Sequence, residues 1–411
     1  MKKLLHLWLG LWLLAACGLN PTPAPPTITP TTAPTLVSLT PPPVETSTPL
    51  VRLTPAPTPT QASIFPPITA ADWQFGPATA RVTIIMYADF QCADCLLIAA
   101  PLARLRREYP NDFRLVYRHF PLTSHDKARL AAEATEAAGA QDKFWEMHDA
   151  LYASQQTWIT ATVEAFRVKV DELAHEIALD EKQFAADLES GKFKAKVEAA
   201  YQTAKDIPLY GVPLLLFNGV PYQGPQNHWA FVTLVELEKL KARQFANPPP
   251  DEINPFKHYT ATLVTEHGPV VIQLLAEKAP VTVNNFVFLV RQGWYNGVTF
   301  HKVIPGYLAQ TGDPSGTGLG GPGYIIPNEI APEDNFDAAG WVGMANVGPN
   351  TAGGQFFITL ASVDTLNGTF TLFGKVVSGL DVLKKLSPRD PGINPELPPG
   401  DKLLEVTIEG E

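Results

Sequence analysis

The chain has 411 residues, a formal charge of −10, 40 prolines and only three cysteines. The acidic balance, with no long basic run, argues against nucleic acid or anionic lipid headgroups as partners. Three cysteines are too few for a disulfide-stapled scaffold, so each has to be considered for chemistry.

Lys2 and Lys3, the apolar run Leu4 to Leu14 and the small residues before Cys17 have the order of an export signal, with an apolar stretch too short to span a bilayer. Leu14-Ala15-Ala16-Cys17-Gly18 resembles the bacterial lipobox. That resemblance implies a signal peptide over 1–16, cleavage before Cys17 and a lipid on its sulfur, giving an extracytoplasmic, membrane-anchored lipoprotein. An ordinary signal peptide with a chance cysteine is the alternative. Residues 17–70 read as a disordered linker: Pro, Thr, Ala and Ser dominate, and Glu45 and Arg52 are the charges between Asn20 and Pro67. An extended proline-rich chain of roughly fifty residues reaches on the order of 100 Å.

Two domains follow, 71–245 and 257–410, joined by a proline-rich linker over 246–256 that contains Pro248-Pro249-Pro250. In the first, Arg81 to Tyr87 is a nearly continuous β-prone run, as in a strand covered on both faces. Cys92-Ala93-Asp94-Cys95 comes next, then a helical run from Leu96 to Tyr109. A helix opening at the first cysteine offers free N–H groups and a partial positive charge to a thiolate, and the spacing puts both sulfurs on one side. A half zinc site has the same spelling; its missing ligands would have to come from His119, His125 and His148. His125 and His148 are read as packing or helix-face residues within helical stretches.

Tyr87-Ala88-Asp89-Phe90-Gln91-Cys92, Arg118-His119-Phe120-Pro121-Leu122, the stretch Lys143 to Leu151, and Gly211-Val212-Pro213 leading into Leu214 to Gly219 together resemble the DsbA-like thiol oxidoreductases of the thioredoxin superfamily. The resemblance implies an α/β thioredoxin-like domain with a helical insertion from His125 to about Lys205. It makes Cys92 the attacking and leaving thiol, Cys95 the resolving thiol, and Pro213 a cis proline facing them, with the Val212 backbone pairing with bound peptide. Exchange would run through a mixed disulfide, with a membrane or soluble redox partner resetting the pair. Asp94 and Asp89 put carboxylates near the thiolate, which predicts a raised Cys92 pKa relative to members lacking them, and a weaker oxidant.

From Tyr259 the pattern turns to strands: Tyr259 to Thr265 and Val270 to Leu275 read as a hairpin about Gly268-Pro269, and Pro280 opens a helix ending near Gly293. Short strands and glycine-rich loops then suggest a closed antiparallel barrel capped by helices. Gly316-x-Gly318-x-x-Gly321 has the spelling of a dinucleotide fingerprint, but Pro314 and Pro322 deny it the strand-to-helix setting that motif needs.

The run Phe300 to Asp313, Gly320 to Tyr324, Met344-Ala345-Asn346, Gly348 to Ile358, and Phe373 to Val376 resemble the cyclophilin-type peptidyl-prolyl isomerases. That implies an antiparallel β-barrel with capping helices and no cofactor. Tyr307, Leu308, Phe357 and Leu366 would form the proline pocket, Gln310 and the Asn346 backbone would hold the substrate chain, and Gln355 would line the groove. Lys302 stands where the family has its catalytic arginine, Thr365 where many members have tryptophan, and Phe370 where many have histidine. A lysine is a mobile point charge rather than a rigid fork, which predicts slower turnover. The two resemblances imply a tethered folding catalyst acting on exported polypeptides with X-Pro bonds and cysteines. A peptide-binding chaperone with weak turnover is the alternative, and a reductant fed from the membrane is a third reading of the thiol pair.

Overall fold

A computed structural model describes residues 64–207, 211–394 and 396–410. The signal, Cys17 and most of the linker therefore lie outside the described residues.

The first domain is built on a five-stranded sheet. β1 (Trp73–Phe75), β2 (Val82–Ala88), α1 (Ala93–Glu108) and β3 (Phe113–His119) are followed by five helices: α2 (Ala128–Gly139), α3 (Phe144–Trp158), α4 (Val163–Glu176), α5 (Glu181–Glu189) and α6 (Lys194–Lys205). β4 (Leu214–Phe217), β5 (Val220–Pro221) and α7 (His228–Leu240) complete it. The strand order is β1-β3-β2-β4-β5, with β2 and β3 parallel and the other pairs antiparallel. β2 is central and covered on both faces, which accounts for its unbroken apolar sequence. On one face Ile84, Met86 and Phe90 pack with α1, α7 and the inserted helices; on the other Ile85, Tyr87 and Val116 pack with Ala204 of α6.

The start of the described chain is tied to this sheet by Arg118 of β3. Its guanidinium donates to the carbonyls of Pro66 (2.9 Å) and Pro67 (2.8 Å), to Asp72 (2.7 Å) and to the Tyr87 hydroxyl (2.7 Å). Phe65 and Ile68 pack against the core beneath.

In the second domain β6 (Tyr259–Thr265) and β7 (Gly268–Leu274) form the predicted hairpin, in register from Thr265 opposite Gly268 to Tyr259 opposite Leu274. α8 (Pro280–Arg291) has its proline in the first turn, where a missing N–H costs nothing. The rest comprises β8 (Val298–Thr299), β9 (Lys302–Ile304), β10 (Leu308–Thr311), β11 (Trp341–Met344), β12 (Phe356–Thr359), β13 (Thr371–Ser378), α9 (Leu380–Leu383) and β14 (Lys402–Glu409). The nine strands run β8-β14-β6-β7-β13-β11-β12-β10-β9, and each ladder is antiparallel. The end strands β8 and β9 do not pair. The sheet curls into a half-barrel, and its two end strands follow one another in the chain across Phe300 and His301. Phe286 on α8 and the rings of Tyr295, Phe356 and Phe373 fill its concave side.

Two expectations need correction. His125 is in the loop before α2, not in a helix, because its ring is held by the Asp89 carboxylate. The glycine-rich run does follow a strand, β10, but no helix comes after it. The Asp313 carboxylate takes the amides of Ser315, Gly318 and Gly320 at 2.7 to 3.0 Å and folds the loop around itself.

Candidate functional sites

Cys92 is the N-cap of α1. Its sulfur accepts from the Cys95 amide at 3.2 Å and lies 3.7 Å from the Val212 carbonyl oxygen, across a loop whose Val212–Pro213 peptide is cis. The four residues read as the thiol site thus converge, and both sulfurs are free thiols. Gln155 of α3 fixes the entry to the helix by donating to the carbonyls of Phe90 and Cys92.

The electrostatics separate the two cysteines. A hydrogen bond from the Cys95 thiol, then the Cys95 amide, bring the Cys92 pKa down to about 7 against the cost of burial. Burial, with the neighbouring Cys92 sulfur accepting from the Cys95 thiol and carrying the charge, pushes Cys95 far above an ordinary thiol. Asp89 opposes the Cys92 thiolate, as its position predicts. Asp94 departs from expectation: its side chain is exposed, and it acts through its backbone N–H, which lowers the Cys92 pKa. Asp89 is fully engaged, accepting from Gln91 and Leu122 amides and facing His125 Nδ1 at 2.8 Å. His119 and His148 face Glu136 and Asp149.

In the second domain one row of cross-strand partners crosses four strands: Lys302 on β9, Gln310 on β10, Phe357 on β12 and Gly343 on β11. Partners in register share a face, so these side chains and the Phe357 ring point the same way. Gly343 makes the ring's position possible, since a Cβ there would come within 2.7 Å of Phe357 Cε2. Around the ring lie Leu308, Leu366, Phe336, Val363 and Leu372, with Tyr307 and Phe370 partly buried at the edge. Phe370 meets Phe357 edge to face at 5.2 Å. Thr365 is exposed in the short turn that carries Leu366.

Beside this apolar pocket the polar groups are chained. Gln310 Nε2 donates to Gln355 Oε1 at 2.9 Å, and Gln355 Nε2 donates to the carbonyls of Gly318 and Gly320. Asn346 lines the same groove, its side-chain amide donating to the Thr369 carbonyl. Lys302 Nζ is 3.9 Å from Asp390. Asp390 reaches it because Arg389 makes a two-way backbone bridge to Val303 at 2.7 and 2.8 Å.

Sequence reasoning missed Gly343, Asp390 and His301. A glycine inside an apolar strand is a signal that was there to be read; nothing in the sequence links Asp390 to β9. His301 is buried beside the site, and burial pushes its pKa down to about 4 against the opposing Asp313 charge and a Gln355 contact.

The family model described as cyclophilin-type peptidyl-prolyl cis-trans isomerase matches residues 260–406. Peptidyl-prolyl cis-trans isomerase B of Bacillus subtilis is 43% identical over 148 residues, 36% of this chain and 96% of that protein. The chain belongs to the cyclophilin-type peptidyl-prolyl isomerase family. Peptidyl-prolyl cis-trans isomerase ppi1 of Schizosaccharomyces pombe is 48% identical over 127 residues, 30% of this chain and 82% of its own length. Among solved structures, a cyclophilin-type isomerase of Cryptosporidium parvum matches at 34% identity, covering 38% of this chain and 99% of that one, with a TM-score of 0.35. A second family model, described as thioredoxin, matches residues 69–236. One chain thus joins a thioredoxin-like domain to a cyclophilin domain.

Proposed function

We propose that this protein is an extracytoplasmic folding catalyst, lipid-anchored at Cys17, that isomerises X-Pro bonds in its cyclophilin domain and exchanges disulfides at Cys92 and Cys95 in a DsbA-like manner. The observation that carries the first activity is the row of Lys302, Gln310 and Phe357 above one apolar pocket. A proline ring seated against Phe357, Leu308, Tyr307 and Leu366 would be held while Gln310, Gln355 and the Asn346 backbone grip the chain on either side. Lys302 then donates toward the reacting amide, weakening the resonance that makes uncatalysed isomerisation slow. Gripping the twisted amide more tightly than either planar form is what accelerates the reaction.

The thiol step rests on the Cys92 thiolate, available near neutral pH, and the protonated, buried Cys95. With the pair oxidised, a substrate thiolate attacks Cys92 Sγ; the Cys92–Cys95 bond breaks and Cys95 leaves as thiolate and takes up a proton. A second substrate thiolate then attacks the substrate sulfur of the mixed disulfide, and Cys92 leaves. The substrate is oxidised by two electrons and the pair is reduced, so a partner disulfide must restore it. The Val212 carbonyl beside Cys92 is placed to accept from a bound peptide N–H.

A second reading, a peptide-holding chaperone with slow turnover, is favoured by one observation: Asp390 competes for the Lys302 ammonium. Paired assays decide. Cys92→Ser is expected to abolish oxidative refolding of a reduced substrate and spare isomerisation, and Lys302→Ala to do the reverse, lowering kcat/KM roughly tenfold or more. Isomerisation that is slow in the parent and unchanged in Lys302→Ala supports the chaperone reading. Retention of the protein in membranes, lost in Cys17→Ser, tests the anchor.

A further inference from the structure

The segment that ends the thioredoxin-like domain does not leave the surface before the proline cluster. Leu240, the last residue of α7, is 3% exposed and packs in the core of the second domain. Arg243 donates to the carbonyls of Gly293 and Trp294 and lies over the Trp294 ring. Gln244 Nε2 donates to the Gly321 carbonyl at 2.9 Å, and the Phe245 amide donates to the Pro322 carbonyl at 2.8 Å. The Phe245 ring packs on Phe288, Trp294 and Tyr324, with centroids 5.1 to 6.4 Å apart.

The glycine loop is shaped to this segment. A Cβ on Gly320 would meet the Asp313 carboxylate and would also lie 2.6 Å from Leu240 Cδ2, and one on Gly323 would lie 2.5 Å from the Phe245 oxygen. Its other edge belongs to the groove: the Gly318 and Gly320 carbonyls accept from Gln355, which takes the amide of Gln310. Between that edge and Asn346 is a cavity of about 250 Å³. Asp313 holds the loop from within through the amides of Ser315, Gly318 and Gly320, but its far edge at Gly321 and Pro322 is held by Gln244 and Phe245, and a glycine-rich edge left free there has backbone freedom that loosens the carbonyls facing Gln355.

We propose that Leu240–Phe245 is a positioning element of the isomerase groove: the thioredoxin-like domain's final segment fixes the glycine loop, and through it the Gln355–Gln310 pair, so that the cyclophilin domain binds substrate fully only as part of this chain. The inference rests on the reading of Gln310 and Gln355 as substrate-binding groups. Neither Gln244 nor Phe245 touches substrate. Their loss raises KM and leaves the turnover step alone.

The test compares the full chain with Gln244→Ala, Phe245→Ala, Phe245→Tyr and Gln355→Ala in a protease-coupled assay on one X-Pro peptide, with melting temperatures alongside. The Gln244 side chain is exposed, so its truncation leaves folding intact. Gln244→Ala is expected to raise KM roughly fivefold, the scale of one lost hydrogen bond, and Phe245→Ala, which keeps its backbone bond but loses the ring packing, to raise it at least as far, with kcat nearly unchanged in both and the Phe245 loss recovered in Phe245→Tyr. KM unchanged in both alanine variants, with only melting temperature lowered, overturns the inference and leaves the segment a packing element. Raised KM in Gln355→Ala but not in the connector variants places the failure here; unchanged KM in Gln355→Ala places it in the substrate-binding reading, and both fall.

Discussion

Gly343→Ala puts a methyl group under the Phe357 ring. The added Cβ would meet Phe357 Cζ first and would lie 2.7 Å from Cε2, whereas ordinary contact begins at 3.4 Å, so the ring has to retreat by more than about 0.7 Å. Phe357 is enclosed by Phe336 at 5.5 Å and Phe370 at 5.2 Å, and its backbone is fixed in β12 between β10 and β11. Overpacking of this kind costs roughly 1–3 kcal/mol. The cost divides between stability, if the ring strains in place, and catalysis, if it swings into the pocket proposed for the proline ring. Urea unfolding and the protease-coupled assay measure the two shares, and kcat/KM is expected to fall about tenfold if even half of the larger cost reaches the transition state. Gly343→Ala combined with Phe357→Leu, whose smaller side chain relieves the clash, should show a coupling of about 1 kcal/mol. A Gly343→Ala protein with the parent's stability and kcat/KM would refute the assignment of Gly343 as the space that seats this ring.

Three further outcomes follow from the charges. The Cys92 pKa is lowered to about 7 from an ordinary 9.0, so iodoacetamide should react with the reduced protein along a titration centred near pH 7. The stabilisation of the reduced fold by this thiolate is present above pH 9 and is lost as pH falls through 7. Asp89→Asn removes an opposing charge and should move the midpoint lower still; an upward move, followed by the same titration, contradicts the placement of Asp89. His301, with its pKa moved from 6.5 to about 4 by burial, makes the fold lose stability as pH falls from about 6.5 to 4, by roughly 3 kcal/mol. His301→Gln should flatten that slope in denaturant titrations at pH 4 and 7, and an unchanged slope rules the residue out as its source.

The elements legible in the sequence were those fixed by local pattern. The apolar run of β2, the cysteine at the mouth of α1, the β6–β7 hairpin and the proline at the start of α8 each carry their own signal within a few residues. That Leu308, Phe357 and Leu366 share one apolar cluster was legible because several motifs occur in order, although these residues meet only in the folded sheet. What was not legible depends on distant partners. Nothing near Asp390 announces Lys302; the two meet because Arg389 bridges to β9. His125 sits in a stretch of helical texture but is drawn out of the helix by Asp89. That β8 and β9 follow one another yet share no ladder is a matter of curvature rather than composition. The roles of Gln244 and Phe245 arise from docking on carbonyls of the second domain.

Arg118 has a consequence of a mechanical kind. Proline carbonyls at 66 and 67 have no amide of their own residue to offer a strand partner, so the guanidinium is what joins that stretch to β3. A pull on the chain from its N-terminal side would therefore load this side chain, with the packing of Phe65 and Ile68, before it reached β1, and would be passed into β3 and the parallel β2 beside it. The bonds it loads lie nearly abreast, on one planar group, and so would share tension rather than fail one after another. The polypeptide leading into the domain can be tugged without first peeling the strand that ends beside Cys92.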